Sequence, residues 1–285
     1  MIITKIKGGL GNQLFQYAFG RYISINQKDI LKLDTDSETS GKDTVREFTL
    51  NNFNINAEIA TPSEILKVKY PLGIFSKFIR IFKSKILRIH NIGYIPNILN
   101  ASEKYFDGFW QSYKYLEPIK NELLKEITLK QTIEAKYSAL LTQIRNTNSV
   151  SIHIRRGDYV NDQRTKSAHF TFGLEYYEKA IQIIKEKIQD PIFFVFSDDI
   201  EWAKENIKTN STTTFIIKPT IVEKDEEEII LMSLCKHNII ANSSFSWWGA
   251  WLNQNPGKIV IAPKKWNNRY QKEYKDLLPP DWIKI

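Results

Sequence analysis

Apolar and polar positions alternate from Ile2 to Lys7, the period of a strand, and the alternation stops at Gly8-Gly9-Leu10-Gly11. Beyond the glycines the period changes. Leu14, Tyr17 with Ala18, Arg21 and Ile25 mark successive turns of a helix over 12–25, and Ile30 to Leu33 predicts a second strand ending at Asp34. A strand, a glycine-rich turn, a helix and a strand make the opening of an α/β domain. Residues 36–60 are polar and carry no readable period; a helical pattern follows over 62–93. Tyr105 to Trp110 predicts a strand and Glu117 to Arg145 predicts mostly helix.

After a polar break at Asn146–Ser149 a second α/β run begins. Strands are expected over 150–154, 192–196, 213–217, 239–241 and 259–261, and helices over 174–188, 225–236 and from Ser244 to Leu252. Uninterrupted apolar strands alternating with helices imply a buried parallel sheet. The expected architecture is therefore α/β with two Rossmann-like domains, residues 1–148 and 149–285, facing a central cleft.

A chain of 285 residues has room for two such domains. Cys235 is the single cysteine, so no internal disulfide forms, and with no apolar run long enough for a signal peptide or a membrane span the expectation is a cytoplasmic protein. The four histidines and Cys235 show no zinc-ligand spacing. Residues 1–148 hold 21 basic against 14 acidic side chains, so most of the net charge of +8 belongs to the first half.

Four segments carry candidate chemistry. Gly8 to Leu14 places glycines at a helix N-terminus, where the backbone approaches a ligand closely and N–H groups point at an anion. A dinucleotide fingerprint needs glycine where Leu14 stands, although Asp34 lies where a ribose-binding acid would sit; a plain strand-to-helix turn is the bland alternative. His153-Ile154-Arg155-Arg156-Gly157-Asp158 follows a strand, with His153 and Arg155 on one face. Two adjacent guanidinium forks match phosphate oxygens, and Asp158 is a candidate to orient an arginine or bind a hydroxyl. The alternative is a surface salt-bridge cluster. Ser197-Asp198-Asp199 ends another strand and reads equally as a polar ligand group or as a helix N-cap. Ser243-Ser244-Phe245-Ser246 opens a helix, offering hydroxyls and backbone donors to a phosphate, while Trp247, Trp248 and Trp251 fit core packing better than a ligand. Asp34-Thr35-Asp36 spells a D-x-D pattern, but the arginine pair makes a catalytic metal redundant, and none is expected.

Together these segments resemble the bacterial galactoside α-1,2-fucosyltransferases of glycosyltransferase family eleven. The resemblance rests on Gly8 to Tyr17 (GGLGNQLFQY), Gly108 to Tyr115 (GFWQSYKY), His153 to Tyr159 (HIRRGDY), Phe196 to Asp199 (FSDD) and Asn242 to Leu252 (NSSFSWWGAWL). It implies a GT-B fold, GDP-β-L-fucose as donor substrate and no cofactor. It also implies inversion at the anomeric carbon, transfer to the 2-hydroxyl of a galactose-type glycan acceptor, and no metal. It further implies that Arg155 meets the β-phosphate and that Asn12 lies by the reacting centre, with residues 1–148 on the acceptor side and 149–285 binding donor. With Gly9, Gly11, His153, Arg156, Asp198 and Ser243 to Ser246 as donor-binding candidates, the base is left open between Asp158 and an acid of the first half.

Residues 65–102 hold Lys67, Lys69, Lys77, Arg80, Lys83, Lys85 and Arg88 and no acid. At helical spacing Phe75, Phe78, Ile79, Phe82, Ile86 and Ile89 share one face and Lys77, Arg80, Lys85 and Arg88 the other. That pattern fits a helix lying on an anionic membrane, so peripheral contact through 65–93 is one expectation, and a core helix with a solvated basic face is the other. The basic residues interleave with apolar ones rather than with exposed aromatics, which argues against nucleic acid.

Overall fold

The computed structural model describes residues 1–35, 47–71, 73, 75, 91–100, 102–156, 172–218, 221–222, 224–267 and 270–285. Asp36, Gly157, Asp158, Tyr159 and residues 76–90, which carry most of the basic amphipathic pattern, lie outside them. The chain divides into two compact units.

The first unit comprises Met1–Lys130 and Glu273–Leu277. Its strands are β1 (Ile2–Lys5), β2 (Leu31–Asp34), β3 (Glu58–Ile59) and β4 (Tyr105–Phe106), all parallel in the order β3-β2-β1-β4. Its helices are α1 (Leu10–Gln27), α2 (Pro62–Lys69), α3 (Tyr113–Leu116) and α4 (Lys120–Glu126). α1 buries Leu14, Phe15, Tyr17, Ala18 and Phe19 completely, together with the polar Gln13 and Gln16. α2 starts at a reciprocal cap in which the Glu64 N–H donates to Thr61 Oγ1 and the Thr61 N–H to the Glu64 carboxylate, with Pro62 at the first helical position.

Two expectations for this unit are corrected. The strand foreseen over 105–110 closes at Phe106, because Trp110 adopts φ +54°, which no strand accommodates. The long helix foreseen over 117–145 is broken after Glu126. There the chain turns extended, Leu129 bridges Phe53 antiparallel, and the Lys130 N–H donates to the Asn52 carbonyl.

The second unit comprises Gln131–Lys272 and Leu278–Ile285. In chain order it contains α5 (Ser138–Asn146), β5 (Asn148–Ile154), α6 (Leu174–Lys187), β6 (Pro191–Ser197), α7 (Ile200–Asn206), β7 (Thr213–Ile216), α8 (Asp225–Leu234), β8 (His237–Ile239), α9 (Ser244–Leu252), β9 (Val260–Ala262) and β10 (Ile283–Lys284). All six strands are parallel in the order β10-β9-β8-β5-β6-β7. Counted from β5, that is the doubly wound 6-5-4-1-2-3 order, whose ligand crevice opens at the carboxyl ends of the two strands where the winding reverses, here β5 and β8. Val150, Ile152, Phe193, Val195, Ile239 and Ile261 of the sheet pack with Tyr177, Ala180, Ile181 and Ile184 of α6.

The boundary expected at 148/149 falls instead at 130/131. α5 buries Leu141 and Ile144, and just before it the Tyr137 hydroxyl donates to Glu227 Oε2 of α8 at 2.6 Å. The polar break at 146–149 is therefore a helix-to-strand turn inside the second unit, not a linker. Residues 273–277 rejoin the first unit, where the Asp276 carbonyl accepts from Ser112 Oγ and the Tyr113 N–H and its carboxylate pairs with Lys114.

Candidate active site

In the second unit the sheet register decides which charges meet. β5 and β6 pair as Ile154↔Ser197, so Arg155 and Arg156 emerge beside Asp198 and Asp199. Arg155 Nε lies 3.2 Å from Asp198 Oδ2, and Arg156 Nε lies 3.3 Å from Asp199 Oδ2. The Arg156 backbone N–H donates to Asp198 Oδ1 at 2.8 Å, and its guanidinium carbon stands 3.9 Å from the centre of the Trp202 ring. Asp199 also caps α7 by accepting from the Trp202 N–H. Asp199 thus both caps α7 and pairs with the Arg156 guanidinium, while Asp198 pairs with Arg155 and accepts the Arg156 backbone N–H. Both guanidinium groups remain partly exposed, and paired carboxylates fix their orientation at the carboxyl edge of the sheet.

β8, the other strand of the crevice, leads through Asn242 into α9. Ser243 caps this helix, its Oγ accepting the Phe245 N–H at 3.3 Å. Ser246 is buried and donates back to the Ser243 carbonyl, whereas Ser244 and Phe245 are half-exposed at the helix start. That N-terminus carries partial positive charge and N–H donors. The His153 ring lies 5.5 Å from the Phe245 ring, so the HIRR and NSSFS segments meet in one place. Trp247, Trp248 and Trp251 are core, as expected; the first two cross edge to face at 5.3 Å.

His153 is buried, and its Nδ1 has no hydrogen-bond partner among the described residues. Burial, reinforced by the charges of Arg155 and Lys218, pushes its pKa down to about 3, so the ring is neutral near pH 7. Lys218, just past β7, reaches Asp225 Oδ1 at 2.7 Å and Glu228 Oε2, and its ammonium lies 5.8 Å from the Phe245 ring. Burial works to lower the Lys218 pKa, but the charge of Glu228 and the bond to Asp225 outweigh it and raise it. Glu228 moves up as well: burial dominates, opposed by Lys218 and reinforced by Asp225 and Asp198.

In the first unit the glycine-rich loop joins β1 to α1. Gly8 has φ +79°, where a side chain would strain the backbone, and a Cβ there would stand 2.9 Å from Asn12 Nδ2 and displace that amide. Gly9 is the N-cap, its carbonyl accepting from the N–H groups of Asn12 and Gln13, and Gly11 is buried in the first turn. Gln13 Nε2 donates to the Gly8 carbonyl, while Gln16 grips Lys7 twice, accepting its N–H at 2.8 Å and donating to its carbonyl at 3.2 Å. Gln111 Nε2 donates to Asn12 Oδ1 at 2.7 Å. At the end of β4, Asp107 pairs with Lys7 at 2.7 Å; burial tends to raise its pKa, but Lys7, Lys5 and Lys69 bring it below the ordinary aspartate value.

Asp34, the first acid of the D-x-D pattern, is fully buried and accepts from the Tyr105 hydroxyl at 2.5 Å. Among the described residues no three histidine, cysteine, aspartate or glutamate side chains come together as metal ligands, and no helix is long and apolar enough to cross a membrane. His153, Arg155, Arg156, Asp198 and Ser243 to Ser246 gather in the second unit, while Gly9, Gly11 and Asn12 sit on the first. Sequence reading missed Lys218, Glu228 and Gln111. The rule that flagged Arg155, a polar residue just past a strand, would have flagged Lys218 after β7. Glu228 was hidden in the acidic start of a helix, where carboxylates are ordinary.

Comparison with known proteins agrees with this geometry. The profile of glycosyl transferase family 11 matches residues 85–285. An Escherichia coli α-1,2-colitosyltransferase is 36% identical, covering 100% of this chain and 99% of that protein. The Escherichia coli O-antigen biosynthesis glycosyltransferase WbnK is 31% identical over 98% and 99%. Rat galactoside α-(1,2)-fucosyltransferase 2 is 28% identical over 52% of this chain and 43% of its own. Among solved structures, the fucosyltransferase NodZ from Bradyrhizobium superposes with a TM-score of 0.55 at 12% identity, covering 87% of this chain and 91% of that one. That likeness concerns the fold, which is α/β of the GT-B type with two Rossmann-like units. Profile and full-length relatives together place the chain in glycosyltransferase family 11.

Proposed function

We propose that this glycosyltransferase moves L-fucose from GDP-β-L-fucose to the 2-hydroxyl of a galactose-type residue in a glycan, with inversion to an α-1,2 linkage. The observation that carries the reading is the meeting of the Arg155–Asp198 and Arg156–Asp199 pairs with the N-terminus of α9 at the reversal point of the six-stranded sheet. The bond from the sugar C1 to the β-phosphate oxygen breaks with its electron pair going to the phosphate. Arg155, Arg156 and the α9 N-terminal donors stabilise that charge where it grows. The acceptor hydroxyl attacks C1 from the opposite face and passes its proton to a base, for which Asp158 is the named candidate. In this reading His153, Phe245 and Ser244 line the nucleotide, and Gly9, Gly11 and Asn12 are the first unit's candidates for the transfer step. No metal enters the scheme. Relatives named for O-antigen synthesis and for α-1,2 transfer support a bacterial surface glycan as acceptor.

Colitosyl transfer is a second reading, supported by the relative of that name at 36% identity. The test offers fucose and colitose donors in parallel with a galactoside acceptor, reading product mass and then the linkage by NMR. Conversion of the fucose donor into an α-1,2-linked product is the expected result. Transfer of colitose alone would select the second reading, and transfer from neither would overturn both.

A further inference from the structure

We infer that Gln111 is a positioning residue that sets the orientation of the Asn12 amide at the mouth of the glycine-rich loop. The inference rests on the proposed role of Asn12 in sugar transfer. Asn12 and Phe19 are seven residues apart on α1, two turns along one face. The pair Trp110–Gln111 grips that face at both points. Trp110 stacks on Phe19 with ring centres 4.0 Å apart and planes 5° apart, and Gln111 Nε2 donates to Asn12 Oδ1 at 2.7 Å.

Aiming Gln111 this way requires an unusual backbone. Trp110 sits at φ +54°, a region that disfavours bulky residues and persists only where the surroundings over-determine it. They do so here. The N–H groups of Phe109 and Trp110 both donate to the Asn91 carbonyl, the Gln111 N–H donates to the Ile92 carbonyl, and Ser112 Oγ donates to the Asp276 carbonyl. Gly108 allows the approach, since a Cβ there would lie 2.6 Å from the Asn91 carbonyl oxygen and 2.8 Å from the Trp110 ring. Strain held in place by this many bonds beside a ligand loop serves geometry.

The consequence is chemical. A half-exposed asparagine amide can turn over, exchanging an acceptor for donors. Gln111 donates, so Oδ1 is the end it holds, and the Nδ2 end lies beside Gly8 in the loop. Held this way, the amide keeps its oxygen end toward Gln111 and its N–H end toward the glycine-rich loop. Gln111 is nearly buried and acts through Asn12.

The test is a double-mutant cycle read by steady-state kinetics and thermal melting. Gln111→Leu should lower kcat about tenfold, the value of one neutral hydrogen bond, with the KM for donor and the melting temperature little changed. Gln111→Glu should lose at least as much, because an ionised carboxylate accepts from Nδ2 and turns the amide over. In an Asn12→Ala background neither change should reduce kcat further. Losses that multiply across the cycle, a Gln111→Glu enzyme as active as wild type, or losses matched by falling melting temperature would each overturn the inference. A fully active Asn12→Ala enzyme would overturn it while leaving the transfer reaction in place. An inactive wild type would instead count against the proposed function itself.

Discussion

Arg155 is where register, charge and the proposed chemistry coincide. Asp198 holds its Nε edge, and the neutral His153 stands two residues back on the same strand face. In the proposed transfer, an arginine fork preorganised in this way would act on the charge that develops at the leaving diphosphate. Arg155→Ala should therefore lower turnover roughly 10²–10³-fold, the usual loss for one such donor. Arg155→Lys should also be poor, because a point charge does not replace a planar fork. Steady-state turnover measures both, and near-normal values in either variant would remove Arg155 from the mechanism. Arg156 is held differently, its guanidinium over the Trp202 ring and paired with Asp199, the cap of α7, which ties this cation to a structural helix start.

At the scale of elements, the start of α9 separates capping from binding. Ser243 is the cap and Ser246 bonds back within the first turn, so both hydroxyls serve the helix. Ser244 is half-exposed at the helix N-terminus. Ser243→Ala should cost about 1 kcal/mol of stability, the usual value of a cap. Ser244→Ala should weaken GDP binding by about 1–3 kcal/mol, the range for hydrogen bonds to charged groups, and leave the melting temperature in place. Calorimetric titration with GDP beside thermal melting reads both, and an unchanged GDP affinity in Ser244→Ala would confine the serines to capping. α1 shows the same economy on the first unit: Gln13 and Gln16, one turn apart, hold the glycine loop that precedes their own helix.

For the whole molecule, each unit presents a strand reversal with polar side chains at the carboxyl ends, and the two differ in charge. The second unit's edge offers two arginines, each paired with an acid; the first unit's offers Lys7 paired with Asp107, and Asn12 bonded to Gln111. In the proposed transfer, two guanidinium groups and a helix N-terminus would supply what a divalent cation otherwise gives a leaving diphosphate. Transfer should accordingly persist in excess EDTA. Loss of activity on chelation with recovery on adding manganese would refute metal-independent transfer. Asp34 would still be a poor ligand then, because its carboxylate is buried against the Tyr105 hydroxyl.

Local pattern alone determined most strands and helices, the parallel α/β class and the His153–Arg156 and Ser243–Ser246 segments. These are properties of short stretches, set by side-chain period and by which residue types end strands and begin helices. Pattern failed where distant residues decide the outcome. The left-handed Trp110 is held by Asn91, Phe19 and Phe106. Helix α5 joins the second unit because Leu141, Ile144 and Tyr137 find partners there, so a polar tetrapeptide mistaken for a linker is only a turn. The pairing of Arg155 with Asp198, the burial of Glu228 against Lys218 and the bond from Gln111 to Asn12 link positions 43, 10 and 99 residues apart. Only tertiary packing chooses such partners, because their energy depends on burial and register that no single segment contains.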